Sequence, residues 1–158
     1  MRIIGIDPGY ERLGIAVIEG ERTKETLLHS ECFKTSAALP FAERLLLLGT
    51  HFEKTIAQYS PELLSIENLF ISNNQKTAMR VAETRGALLY IAQRNNIPIV
   101  EFTPLQVKDA IVGYGKSSKD QVAHMVERLI KVPKGKRIDD EYDAIALALT
   151  ASACHRGL

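Results

Sequence analysis

Short apolar runs separated by turn residues occupy the first third of the chain: Arg2 to Asp7 ahead of Pro8-Gly9, Leu13 to Glu19 ahead of Gly20, and roughly Glu25 to Lys34. They predict three strands, close enough in sequence to form an antiparallel meander. The period then changes. From Pro40 to about Tyr59, Phe41, Leu45, Leu48, Phe52 and Ile56 recur on one helical face, the mark of a helix laid over a sheet. After the Ser60-Pro61 break, Glu62 to Glu67 is a short run centred on Leu63, Leu64 and Ile66. A run of that kind suits a strand buried on both faces, placed parallel to the first.

A long helical pattern follows from about Gln75 to Asn95, with Gly86 in its interior at a cost of about 1 kcal/mol relative to alanine. Its apolar residues occupy more than one face, so it wants two partners: the sheet, and either the rest of its own subunit or the same helix of a second one. Ile97 to Phe102 predicts another strand. Thr103-Pro104-Leu105-Gln106 and Ser118 with Gln121 each offer a capping box that opens a helix, with Val112-Gly113-Tyr114-Gly115-Lys116 as the break between them. Lys131 to Arg137 reads as a basic loop, and a closely packing Ala/Leu-rich helix runs from about Asp140 to Ala153. The order predicts an α/β fold: a five-stranded mixed sheet with helices on both faces.

With 158 residues, 46% of them hydrophobic and 25% charged, the chain has the apolar content for one core, and a single domain over residues 1–158 is expected. No apolar stretch approaches the roughly 18 residues of a membrane span, and no export signal opens the chain, which predicts a soluble, cytoplasmic protein without a membrane partner. Cys32 and Cys154 have no metal-ligand spacing and are expected as reduced thiols. The net charge of +1 hides a segregation: between Lys108 and Arg137, eight basic residues stand against three acidic ones, a local excess of five.

Two predicted buried strands end in acids, Asp7 and Glu67, which as parallel neighbours would emerge together where open α/β sheets place ligands. The last helix opens with Asp139-Asp140-Glu141-Tyr142-Asp143. Taken alone, that cluster suits capping and the helix dipole. Four gathered carboxylates without a counter-charge would repel one another, however, and divalent cations remove that problem. Oxygen ligands of this kind suit magnesium and phosphodiester chemistry. Spacing cannot choose between Asp139 and Asp140 as the partner of Asp143.

Ile4-Gly5-Ile6-Asp7-Pro8-Gly9, Ile66-Glu67-Asn68-Leu69-Phe70, Gln106-Val107-Lys108 and Asp140-Glu141-Tyr142-Asp143-Ala144-Ile145-Ala146, in this order and at these separations, resemble the bacterial RuvC resolvases over nearly the whole chain. The resemblance implies a ribonuclease H-like fold, a homodimer, and resolution of four-way (Holliday) junction DNA by paired symmetric nicks that leave 5′-phosphate and 3′-hydroxyl ends. It also implies cooperation with the RuvA and RuvB branch-migration proteins, and magnesium as cofactor, two ions per subunit, with manganese able to substitute. The family's catalytic and metal-binding tetrad falls on Asp7, Glu67, Asp140 and Asp143, which leaves Asp139 as a helix cap. Phe70 takes the place of an aromatic DNA wedge, Lys108 and Lys119 match basic positions near the scissile phosphate, and Lys116 is a further candidate for DNA contact. A ribonuclease H acting on RNA-DNA hybrids is the nearest alternative. An actin-like ATPase shares the first loop but needs two lobes, and a non-catalytic junction binder is expected to lack at least one of the four acids.

Overall fold

The computed structural model describes residues 1–20, 24–68, 75–133, 135 and 137–156. The strands β1 (Arg2–Asp7), β2 (Arg12–Gly20), β3 (Glu25–Lys34), β4 (Leu63–Glu67) and β5 (Ile99–Phe102) form one sheet in the order β3-β2-β1-β4-β5. β3, β2 and β1 are successive antiparallel neighbours, while β1 with β4 and β4 with β5 are parallel. This is the mixed sheet that the order of strands and helices predicts.

Strand periodicity assigns the two faces. Ile4, Ile6, Ile15, Val17, Leu64 and Ile66 point to one side, where Leu48, Phe52 and Ile56 of α1 (Phe41–Tyr59) and Leu88, Ile91 and Ala92 of α2 (Gln75–Arg94) cover them. Ile3, Ala16, Ile18 and Leu63 point to the other, covered by α3 (Pro104–Val112), α4 (Lys119–Leu129) and α5 (Asp139–Arg156). Both predicted capping boxes form: Thr103 with Gln106 opens α3 and Ser118 with Gln121 opens α4.

Several boundaries depart from the pattern, three of them for reasons visible in the contacts. β5 begins at Ile99 rather than Ile97, because the amide of Ile97 closes the end of α2 on the carbonyl of Ala92 and Pro98 has no N–H to give. β4 begins at Leu63 rather than Glu62, whose carboxylate accepts from the amide of Arg2. α5 begins at Asp139, so this residue stands within the first turn instead of capping it. Cys32 and Cys154 are free thiols, and among the described residues no helix is long and apolar enough to cross a membrane.

α5 lies closer to the sheet than ordinary side chains would allow. A Cβ on Gly5 would stand 2.1 Å from the carbonyl oxygen of Ala144 and 2.8 Å from the amide of Ala148, and one on Gly14 would stand 2.0 Å from the carbonyl oxygen of Asp140. Ala16 and Ser65 complete the small-residue seat, and the buried hydroxyl of Ser65 donates to the carbonyl of Leu147 at 2.7 Å. Because the obstructing atoms are backbone, Gly5→Ala is expected to lower stability by about 1–3 kcal/mol as an overpacked core does. The midpoint of urea unfolding should fall accordingly, and an unchanged midpoint would show that α5 can lift off the sheet at no cost.

Candidate active site

The residues that follow the glycine seat along the strands are acidic. By the period of two, Asp7 shares the face of Ile3 and Gly5, and Glu67 that of Leu63 and Ser65. The parallel register of Ile6 with Ile66 sets the two acids side by side at the carboxyl ends of β1 and β4. On the neighbouring strand Gly14 pairs with Asp7, and the first turn of α5 presses on that glycine. One helix turn thereby brings Asp140 and Asp143 against the sheet edge.

Asp7, Glu67 and Asp143 line a common cavity of about 270 Å³, together with Lys108 from α3 and Lys119 from α4. Asp140 does not line that cavity; it lines a separate hollow with Arg12, whose Nε is 3.4 Å from its Oδ2. That approach is ionic only, and the buried Oδ2 accepts no hydrogen bond among the described residues. Among those residues no three His, Cys, Asp or Glu side chains stand in a closed ligand set, so the acids face a shared space instead of converging on a point.

The electrostatics of this space are those of unneutralised charge. Burial first, and then the negative charges of Asp143, Asp140 and Glu67, push Asp7 from 3.8 to about 8. Glu67 is raised by burial and by Asp143, against the opposing pull of Lys119 and Lys108. Lys119 donates to Asp143 Oδ2 at 3.3 Å. This pair pulls in two directions: Asp143 holds Lys119 in its charged form, yet burial leaves Asp143 itself above the ordinary aspartate range. The ammonium reaches in from solvent while the carboxylate is set deeper, so one lysine does not neutralise the cluster. A cavity with an excess of negative charge whose candidate ligands are all carboxylate oxygens fits a hard divalent cation.

Lys116 is exposed on the loop between α3 and α4 and lies outside the carboxylate cavity. Phe70 falls outside the described residues. Two arginines that sequence reasoning missed bear on the acids. Arg12 faces Asp140. Arg85 of α2 donates from Nε to the carbonyl of Glu67 at 3.1 Å and pairs with Glu101 of β5, which fixes the end of β4 where the Glu67 carboxylate emerges. Its signal was positional: a charge three residues before Leu88, beside buried Thr84, on the face that α2 turns to the sheet.

Comparisons with known proteins agree with this geometry. The family described as Crossover junction endodeoxyribonuclease RuvC matches residues 3–151. The RuvC of Ruminiclostridium cellulolyticum is 40% identical over 156 residues, covering 99% of this chain and 94% of that protein. That of Thermosipho melanesiensis is 43% identical over 148 residues, 94% of each. Among solved structures, Thermus thermophilus RuvC in complex with a Holliday junction substrate superimposes with a TM-score of 0.93 at 32% identity, covering 99% of this chain and 96% of that one. A yeast mitochondrial Holliday junction resolvase shares the fold alone, with a TM-score of 0.67 at 16% identity over 98% of this chain and 77% of that one. Sheet order, the carboxylates on one cavity and nearly full-length similarity lead to one conclusion: the chain belongs to the RuvC family of crossover junction endodeoxyribonucleases.

Proposed function

We propose that this chain resolves four-way DNA junctions by magnesium-dependent hydrolysis at the cavity shared by Asp7, Glu67 and Asp143, with Asp140 as the fourth carboxylate. The observation that carries this is the convergence of three raised carboxylates on one cavity rimmed by Lys108 and Lys119, in a member of the RuvC family. The four carboxylates would hold two magnesium ions, or manganese in their place. Bound there, the cations supply Lewis-acid stabilisation of charge at phosphorus and activation of water for an in-line displacement that leaves 5′-phosphate and 3′-hydroxyl ends.

The protein's own groups prepare the rest. Desolvation around Asp7 favours a bound cation over bulk water, because the ionised acid is otherwise unstable there. Lys108 and Lys119 stand where a backbone phosphate would rest above the acids, and the basic surface of α3, α4 and the loop after them attracts the DNA. Phe70, three residues past Glu67, is proposed as the ring that enters the crossover, and Lys116 as a contact to flanking backbone.

A junction has approximate two-fold symmetry, so paired nicks call for a two-fold dimer. Support for one comes from α2, whose outer face carries Met79 and Tyr90, each 65% exposed, in line with Gly86, where an added Cβ would meet nothing within 4 Å among the described residues beyond its own helix. A second copy of α2 against that stripe would bury it. RuvA and RuvB branch-migration proteins are the partners that family membership supports.

The activity is tested with an end-labelled synthetic junction in magnesium, alongside linear duplex and RNA-DNA hybrid. Wild-type protein should make paired, ligatable nicks on the junction, and Asp7→Asn should abolish cutting while junction binding persists. Cleavage confined to the hybrid would instead indicate a ribonuclease H activity.

Asp7 also gives the metal-free protein a characteristic response to pH. Between its ordinary value of 3.8 and about 8, the folded state retains a proton that the unfolded chain has lost, so stability falls as pH rises through this window. Asp7→Asn lacks the effect. The variant should therefore gain on the wild type in denaturation midpoint as pH climbs from about 4 towards about 8, and added magnesium should narrow the gap. A difference independent of pH would mean that Asp7 is not a strained carboxylate.

For the dimer, a Cβ at Gly86 meets nothing within 4 Å among the described residues beyond its own helix, so Gly86→Arg should shift sedimentation velocity from dimer to monomer with the thermal midpoint of the protomer little changed. Persistence of a dimer would place the interface elsewhere.

A further inference from the structure

The turn between α3 and α4 holds an aromatic side chain out to solvent on a braced backbone. Tyr114 is 60% exposed, and Leu105, across the turn, is 61% exposed. Gly113 ends α3 in the left-handed region at φ 78°, with its amide on the carbonyl of Asp109. The carbonyl of Tyr114 itself accepts twice from buried Ser117, from the amide at 3.0 Å and from the hydroxyl. Gly115 packs on Leu105 so closely that a Cβ would come within 2.5 Å of Leu105 Cδ1. The backbone below the ring is thus already ordered, and a partner stacking on it would not have to be matched by folding of the turn.

On the same turn, starting at Gly115 next to Tyr114 in the chain, lies a concavity of about 480 Å³ lined by Thr103, Pro104, Leu105, Lys108 and Gly115. Pro104 and Lys108 also line the carboxylate cavity, so the two hollows are neighbours with a common wall. Lysines border it, Lys108 in the shared wall and Lys116 on the turn, with the carboxylates and Lys119 beyond that wall. An apolar shelf with an exposed ring, bordered by lysines and one wall away from phosphodiester chemistry, matches the mixed nature of a nucleotide: a flat base joined to an anionic phosphate.

We propose that Tyr114 and Leu105 receive the base of a nucleotide flanking the cleaved phosphate, and that this contact helps determine which crossover sequences are cut. It rests on the junction-nuclease assignment above and adds a base-reading element to it. With the phosphate held near Lys108, a neighbouring base turned outward meets the shelf across the shared wall. Stacking tolerates every base but favours those with the larger face, so purines at that position are bound more strongly.

The test uses junctions that differ only in the base pairs on either side of the cut, cleaved in magnesium by the wild type, Tyr114→Ala and Tyr114→Phe. In parallel, each Tyr114 form is combined with Asp7→Asn and bound to uncut junctions carrying 2-aminopurine at each flanking position, whose fluorescence falls on stacking. The wild type and Tyr114→Phe should quench one flanking position and keep the same spread of rates across sequences. Tyr114→Ala should lose that quenching and narrow the spread by about tenfold, within the range that base–aromatic stacking supplies, with an unchanged thermal midpoint because the ring is exposed. Wild-type quenching and sequence spread in Tyr114→Ala, or an equal loss of rate on every sequence, would overturn the proposal. A wild type that cuts no junction of the set would instead remove the nuclease assignment on which it stands.

Discussion

The structure depends on charge that it does not itself neutralise. Asp7 occupies a position where burial and three neighbouring acids oppose its ionisation, and the nearest cations, Lys119 and Lys108, reach the cavity from its rim. A fold selected only for stability would replace such a group, since an unpaired buried carboxylate costs several kcal/mol. Its presence makes sense where a divalent cation completes the charge balance. Under the proposed function, binding energy and catalytic competence would be linked, because a cation filling the site would relieve the repulsion among these acids.

That repulsion is sustained by close packing on the glycine seat. Gly5 and Gly14 let the backbone of α5 press on β1 and β2, and Ser65 ties the helix to β4 from below. Without this contact the first turn of α5 would stand off by the thickness of a methyl group, and Asp140 and Asp143 would lie further from Asp7. The small residues are therefore as much part of the acidic site as the acids. Arg85 plays a comparable role from the opposite face, holding the end of β4 through a backbone carbonyl without touching the cavity.

The two faces of the sheet divide the work. Helices α3, α4 and α5 carry the acids' partners, the lysines and the Tyr114 turn, all near the carboxyl ends of the parallel strands where the chain direction reverses across the sheet. Helices α1 and α2 cover the other face and leave on the outside of α2 the stripe of Met79, Gly86 and Tyr90. In the proposed dimer this would leave one side for a second subunit and the other for DNA, so assembly and catalysis would not compete for surface.

Much of this was legible in the amino-acid order alone, because local rules govern it. Buried strand runs that end in Asp7 and Glu67 put both acids at the carboxyl ends of parallel strands, capping boxes mark the starts of α3 and α4, and the joint occurrence of the acidic motifs points to the RuvC family. Hydrophobic periodicity is a property of near neighbours, and it survives without tertiary information. The tertiary structure alone decided what depends on distances between remote segments. Only there does Gly14 meet Asp140, does Arg85 reach the carbonyl of Glu67, and does Asp140 turn towards Arg12 while its three companions share a cavity. Glycine in a strand and arginine in a helix carry no local mark of such partners, since close approach and desolvation arise only when the layers are stacked.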